Sequence, residues 1–419
     1  MNRLPTEIIS QIVGHVRHRN HPLTPLSLIN HYWQPIVEVE IYRQFYMGYE
    51  LPENTYMSYK RYADVLTPTR LSYIRQLCVY FYISGHFSAE GRHRHSWSLE
   101  NTAKELEKAL KHFFNLLTST PHGQEPLLDL YFDACGPTDL FGTDPRPCES
   151  LYGLPELPMI RFFQFFQGSR DEVFSPHALL LVASKMPRLR ELDIEISPRL
   201  VEVSSTHQRM ELARSLAEVP LPTSLQNFTL RYYPTTGPDG FPTTENDEDI
   251  LTRELRRLSQ REGLEYLAFY GRVEPSIFWP PHSVSEPQQW PTLKAFTLDL
   301  YQAQQFSWLS NGESLDVVEG ADERGQISKA IFNAFCQALA KCSAHMPKAE
   351  HTSIEFNDNW DTSLVCIVVS GNRFIELKGK PDLTLELDKE TVDEWRKTAD
   401  VHNLDSEMRI VERDRAIGH

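Results

Sequence analysis

The chain has 419 residues, more than the roughly 250 to 300 at which a single compact core stops growing, so several domains or an elongated repeat array are expected. Apolar residues at 41% and aromatics at 11% exclude a largely disordered chain. A formal charge of -15, with no Lys/Arg-rich run beyond Arg253 to Arg261, gives the surface the wrong sign for a phosphate backbone and argues against nucleic acid as a partner.

Six cysteines, Cys78, Cys135, Cys148, Cys336, Cys342 and Cys366, lack the paired two-residue spacing of a zinc ribbon or disulfide framework and read as reduced thiols. The N-terminus shows no charged segment followed by an apolar signal core. No stretch approaches the apolar length of a membrane span, so a cytoplasmic or nuclear protein with no membrane partner is expected.

In chain order, the first predicted element follows Leu4-Pro5, where proline suits the first helical position. Leu4, Ile8, Ile12 and Val16 recur every four residues, and Ile9 and Val13 widen the stripe, which predicts an amphipathic helix. Thr24-Pro25 opens a short second helix through Leu26, Leu28 and Ile29. A third helix is expected to carry Trp33, Ile36, Val37, Ile41, Tyr42 and Phe45, with Pro35 in its first turn. Three short helices barely bury a core of their own, so part of their apolar surface is expected to be covered by another protein.

Leu4-Pro5-Thr6-Glu7-Ile8-Ile9, then Ile12-Val13, Val16, Leu23, Leu26, Ile29, Trp33, Ile36, Ile41-Tyr42 and Phe45, resembles the F-box in order and spacing. The resemblance implies a three-helix F-box over residues 1–46. Its Leu4, Pro5, Ile8, Ile12, Leu26, Ile29 and Trp33 would pack on a Skp-type adaptor and, through it, reach a cullin of a ubiquitin ligase. Two features depart from the family pattern: a longer, His-rich linker after the first helix, and Asn30-His31-Tyr32 where the family often has a cysteine and basic residues.

From residue 70 onward a Leu-x-x-Leu-x-Leu type pattern returns at Ile74, Leu127, Ile160, Leu189, Leu225, Leu264 and Leu293, at irregular intervals of roughly 30 to 50 residues. An eighth copy is marked by Met346-Pro347-Lys348-Ala349 through Ile354-Glu355, which aligns without gaps to Met186-Pro187-Arg188-Leu189 through Ile194-Glu195. Helical stretches separate several copies. Leu99 to Leu117 steps by four and three, Ser175-Pro176 caps a segment to Ser184, Thr244 with Asp247 resembles a capping pair before Ile250 to Leu258, and Ile327 to Cys342 forms another stripe.

Strand-helix-strand units of this length predict an α/β chain in which residues 47–345 form an irregular leucine-rich-repeat-like solenoid, with a doubly wound sheet as the runner-up. In residues 346–419, Ser363 to Val369 and Arg373 to Leu377 flank Gly371-Asn372, predicting a hairpin. A strand near Leu383 to Leu387, a helix capped by Asp388 and a final strand Met408 to Val411 complete a C-terminal hairpin and helix. This region, with Ile277 to Pro280 and Gln289 to Leu293, is similar to fungal F-box proteins.

Residues between the inward apolar positions of a solenoid would face a protein ligand: Gln76, Asp193, Glu195, Asn227, Thr229, Arg231, Glu265, Tyr266, Lys294, Thr297 and Asp299. Phe278, Trp279 and Trp290 lie in a proline-rich loop, where large aromatics serve either as ligand anchors or as core plugs, and burial separates the two. With Arg231 and Tyr266 they form the candidate substrate-binding set.

No nucleophile elbow, phosphate loop, zinc helix or dinucleotide turn occurs. His93 and His95 alternate with Arg92 and Arg94, His15, His18 and His21 lie in polar surroundings, and Asn357 to Asp361 lacks the glycine and distal glutamate of a calcium loop. No catalytic residue, metal or cofactor is therefore expected. The expected function is recruitment of a protein substrate to a Skp/cullin/F-box ligase. The alternative is a repeat-based scaffold with a degenerate F-box and no ligase role, and an enzyme whose site is assembled from separated residues is the third possibility.

Overall fold

The computed structural model describes residues 4–19, 21–51, 55–83, 99–119, 128–135, 151–166, 174–196, 205–232, 248–280, 288–300, 329–355, 365–369, 374–379, 387–403 and 409–412. The protein is α/β, and its chain divides into two units, Met1–Leu192 with Leu221–Ser224, and Asp193–Pro220 with Leu225–His419.

The first unit opens with α1 (Thr6–His18), α2 (Thr24–Ser27) and α3 (Gln34–Tyr42). Their shared core is small. Ile9, Val13 and Val37 are fully buried, with Leu23, Leu26, Tyr32, Trp33, Ile36 and Ile41 packed against them in part. Arg17 of α1 pairs with Glu40 of α3. The helix expected to run through Phe45 ends at Tyr42, because Phe45 already belongs to a strand, β1 (Gln44–Leu51). Met47 and Tyr49 of that strand are completely buried at period-two spacing, a strand pattern that begins where the helix was expected to end at Phe45.

Next come α4 (Thr55–Val65), α5 (Pro68–Tyr73), β2 (Gln76–Ile83), α6 (Leu99–Thr118), β3 (Leu128–Cys135), β4 (Ile160–Phe166), α7 (Pro176–Ser184) and β5 (Glu191–Ile196), which belongs to the second unit from Asp193 on. Thr67 and Ser175 cap α5 and α7 by accepting from the backbone N–H three residues on, each followed by proline in the first turn. Arg70 of α5 reaches Glu38 of α3 at 3.1 Å and lies 5.0 Å from the Tyr42 ring centre, tying the N-terminal helices to the strands behind them. Strands β1 to β4 pair in chain order, all parallel, with Gln44 opposite Gln76, Gln76 opposite Asp129 and Asp129 opposite Phe162.

The second unit contains α8 (Ser205–Glu218), β6 (Asn227–Tyr232), α9 (Ile250–Ser259), β7 (Tyr266–Tyr270), β8 (Ala295–Asp299), α10 (Lys329–Ala344), β9 (His351–Glu355), β10 (Val365–Val369), β11 (Phe374–Gly379), α11 (Lys389–His402) and β12 (Arg409–Glu412). Strands β6 to β9 are again sequential and parallel. β10 then runs antiparallel to both β9 and β11, as the hairpin expectation required, and β12 returns parallel to β11. Gly371-Asn372 and Leu383 to Glu386 lie outside the described residues.

Asp249 is the cap of α9, accepting from Thr252 N–H at 2.7 Å; Thr244 and Asp247 lie outside the described residues. Asp388 caps α11 as expected, and α11 packs on α10 through Thr398, whose hydroxyl donates to the Ala340 carbonyl at 2.8 Å.

Along the strands, burial alternates. In β6, Phe228, Leu230 and Tyr232 are buried while Asn227, Thr229 and Arg231 are half-exposed, and β2, β3 and β5 follow the same period. One sheet face is thus apolar and packed, and the other is polar and partly open.

Candidate functional site

Two surfaces stand out, one on each unit. In the N-terminal helices, α1 carries two stripes. Ile9 and Val13 turn inward onto Val37, which leaves Leu4 and Ile8, four residues apart, 46% and 40% exposed. Pro5 is exposed beside them and Ile12 continues the same edge half-buried. After the four-residue α2, Leu28 and Ile29 are 80% and 52% exposed, because so short a helix presents only one face to its neighbours. Of the seven residues expected to dock, Leu4, Pro5, Ile8 and Ile29 are exposed, while Ile12, Leu26 and Trp33 are half-buried.

Leu28 and Val39 are exposed apolar side chains outside the set expected to dock. The signal for Leu28 was its position beside Ile29, since adjacent residues on a single turn cannot both point inward. Asn30, one of the departures from the family pattern, accepts through Oδ1 from the Tyr32 and Trp33 backbone N–H groups at 2.8 and 3.1 Å and so shapes the turn into α3.

On the open face of the second unit, register sets three rows. Asn227, Tyr266, Ala295 and His351 form the first, Thr229, Ala268, Thr297 and Ser353 the second, in which Ala268 and Ser353 are buried, and Arg231, Tyr270, Asp299 and Glu355 the third. The third row concentrates charge. Arg231 pairs with Asp193, and its guanidinium lies 5.1 Å from the Tyr270 ring centre. Asp299 is 9% exposed, and its Oδ1 has no hydrogen-bond partner among the described residues. Burial, with the Glu355 carboxylate beside it, pushes the Asp299 carboxyl up to about 7. Burial also raises Glu195, against a lowering by Arg231. Glu265 and Lys294 pair at 2.6 Å where β7 and β8 begin.

Arg231 and Tyr266 therefore lie on the open face, as expected, but Phe278 and Trp290 do not serve as ligand anchors. Both are completely buried. Phe278 stacks on Phe296 with ring centres 4.7 Å apart, and Trp290 Nε1 donates to Ser259 Oγ at 2.7 Å. The proline-rich run that suggested a surface loop delivers these rings into the layer between β8 and the helices, where apolar area is best hidden. Trp279 is half-buried against Trp290 and His345.

His15, His18 and His21 are exposed, whereas His93, His95 and Asn357 to Asp361 lie outside the described residues. Among the described residues no group of three or more His, Cys, Asp or Glu side chains is placed to hold a metal ion, and no helix is long and apolar enough to cross a membrane. Among the described residues Cys78, Cys336 and Cys342 form no disulfide, and burial raises the Cys342 thiol well above the usual range.

The chain matches no model of a known protein family and no curated protein.

Proposed function

We infer that the chain is a non-catalytic, substrate-recruiting subunit of a Skp/cullin ubiquitin ligase, its first three helices acting as an F-box. The observation that carries this reading is the split of α1: Ile9 and Val13 form the module's own core, while Leu4, Pro5 and Ile8 remain open on the edge that the family resemblance assigns to the adaptor. Covering a Leu or Ile side chain contributes roughly 1.5–3 kcal/mol, so a handful of such residues suffices for a stable complex.

The regions that follow are proposed to be leucine-rich-repeat-like, the solenoid expected from the recurring strand pattern. Support comes from strands pairing in chain order within each unit and from burial that alternates along β2, β3, β5 and β6. A doubly wound sheet would bury its strands on both faces. The half-exposed face then takes the recruited protein.

Asn30 favours the second reading, a scaffold with a degenerate F-box, because it builds a turn from residues that depart from the family pattern. Co-purification of the full chain with a Skp-type adaptor and a cullin separates the two readings. The recruiting subunit retains both, and Leu4→Ala/Pro5→Ala releases them; the scaffold retains neither.

A further inference from the structure

The open face of the second unit carries more acid than base. Asp193, Glu195, Asp299 and Glu355 stand on its strands against Arg231. That one guanidinium is already engaged, by Asp193 and by the Tyr270 ring. It offsets the β5 acids and leaves the pair at the far end of the row without a cation among the described residues.

That pair is held by the sheet itself. Asp299 ends β8 directly opposite Glu355 at the end of β9, and Tyr270 is the next residue in the row. The two members differ in access: Glu355 is half-exposed, whereas Asp299 is nine-tenths buried with its Oδ1 sealed and without a donor. A buried carboxylate oxygen without a donor is costly, and native folds keep such groups where a ligand or a function compensates them.

We propose that the Asp299–Glu355 pair is the seat for a lysine or arginine side chain of the recruited protein, with Tyr270 beside it as an aromatic wall. This rests on the recruitment reading and narrows it, since the partner must present an extended basic segment. An ammonium or guanidinium matches the site because it brings charge and several donors without needing three or more ligands, and no such cluster surrounds the pair among the described residues. The chain's charge of -15 steers a basic segment toward the face.

The groups facing the pair are Tyr270 on β7, Arg231 on β6 and Asp193 and Glu195 on β5, while β10 places uncharged Val365 opposite Glu355. With no other carboxylate in the row, binding should strengthen as the pair becomes doubly charged above neutral pH.

The test uses the full chain and a fluorescein-labelled octapeptide of alternating lysine and serine, read by anisotropy, with the glutamate-serine counterpart as control. Wild type should bind the lysine peptide and not the glutamate one. Asp299→Asn/Glu355→Gln should weaken binding by about tenfold or more, whereas Glu218→Gln, which removes an exposed charge on α8, should change it less than about twofold. Glu355→Lys supplies an internal cation to Asp299 and should abolish binding while raising the melting temperature at high pH, which shows that the variant is folded.

Equal binding by the pair variants and the Glu218 variant, binding that survives Glu355→Lys, or no binding by wild type would overturn the proposal. Adaptor co-purification on the same proteins keeps the two readings apart. An intact adaptor complex without the lysine site removes this inference alone, and loss of the adaptor leaves the peptide titration readable.

Discussion

Arg209 and Asp249 form a buried ion pair with two parallel bonds, Nε to Oδ1 at 2.7 Å and Nη2 to Oδ2 at 2.5 Å, their side chains 5% and 0% exposed. The same aspartate caps α9 and is fully buried, so α8 is fastened to the start of α9 by charge as well as packing. Arg256 and Glu248 make a second such pair one turn away, and the Arg256 guanidinium also donates to the Ser276 carbonyl. Arg209→Met strands the Asp249 charge and should lower unfolding free energy by about 3–5 kcal/mol. Replacing both partners with apolar residues should cost far less, close to the roughly 1 kcal/mol of the lost cap. Urea denaturation of the two variants checks the contrast.

Asp299 gives stability a distinct pH dependence. Its carboxyl keeps a proton up to about 7 in the folded chain but releases it near 3.8 when unfolded, so between those values the folded state binds more protons. Stability contributed by this group therefore falls as pH rises through that window. Asp299→Asn should leave the melting temperature unchanged near the bottom of the window and stabilise by about 2 kcal/mol above its top, after allowance for solvent screening. Thermal unfolding across the range reads the crossover directly.

Gly271 follows β7 at φ 151°, and its N–H donates to the Asp299 carbonyl at 2.9 Å. A Cβ there would lie 2.5 Å from the Tyr232 carbonyl oxygen, which belongs to the backbone and cannot swing aside. Gly271→Ala should cost about 1–3 kcal/mol from the backbone strain alone, with the clash adding to it. Peptide binding at the neighbouring Asp299 seat should weaken in parallel, since the same shift moves β8.

Much of this architecture was legible in the sequence. The strands β2 to β8 announced themselves because each carries two or three inward apolar residues at period two after a leading Leu or Ile, β9 showed only through its gapless match to the β5 segment, and Ser175 and Asp388 marked their helices by cap chemistry. β1 was missed because Ile41, Tyr42 and Phe45 keep helical spacing straight into the strand, with no turn residue between. α8 was missed for another reason: its buried face includes Gln208, Arg209 and Ser215, so no apolar stripe appears. Spacing also cannot say which apolar residues stay open. Leu4 and Ile9 look alike in one dimension, and the proline-rich setting of Trp290 concealed a core residue.

The central claim is that the open edge of α1 docks a Skp-type adaptor, and titration calorimetry of the purified chain against that adaptor tests it most directly. One-to-one binding is expected, with Leu4→Ala/Ile8→Ala weakening it by about a hundredfold while leaving the melting temperature within a degree or two, because both side chains are already exposed. An absence of heat at tens of micromolar, or binding indifferent to the two substitutions, would contradict it.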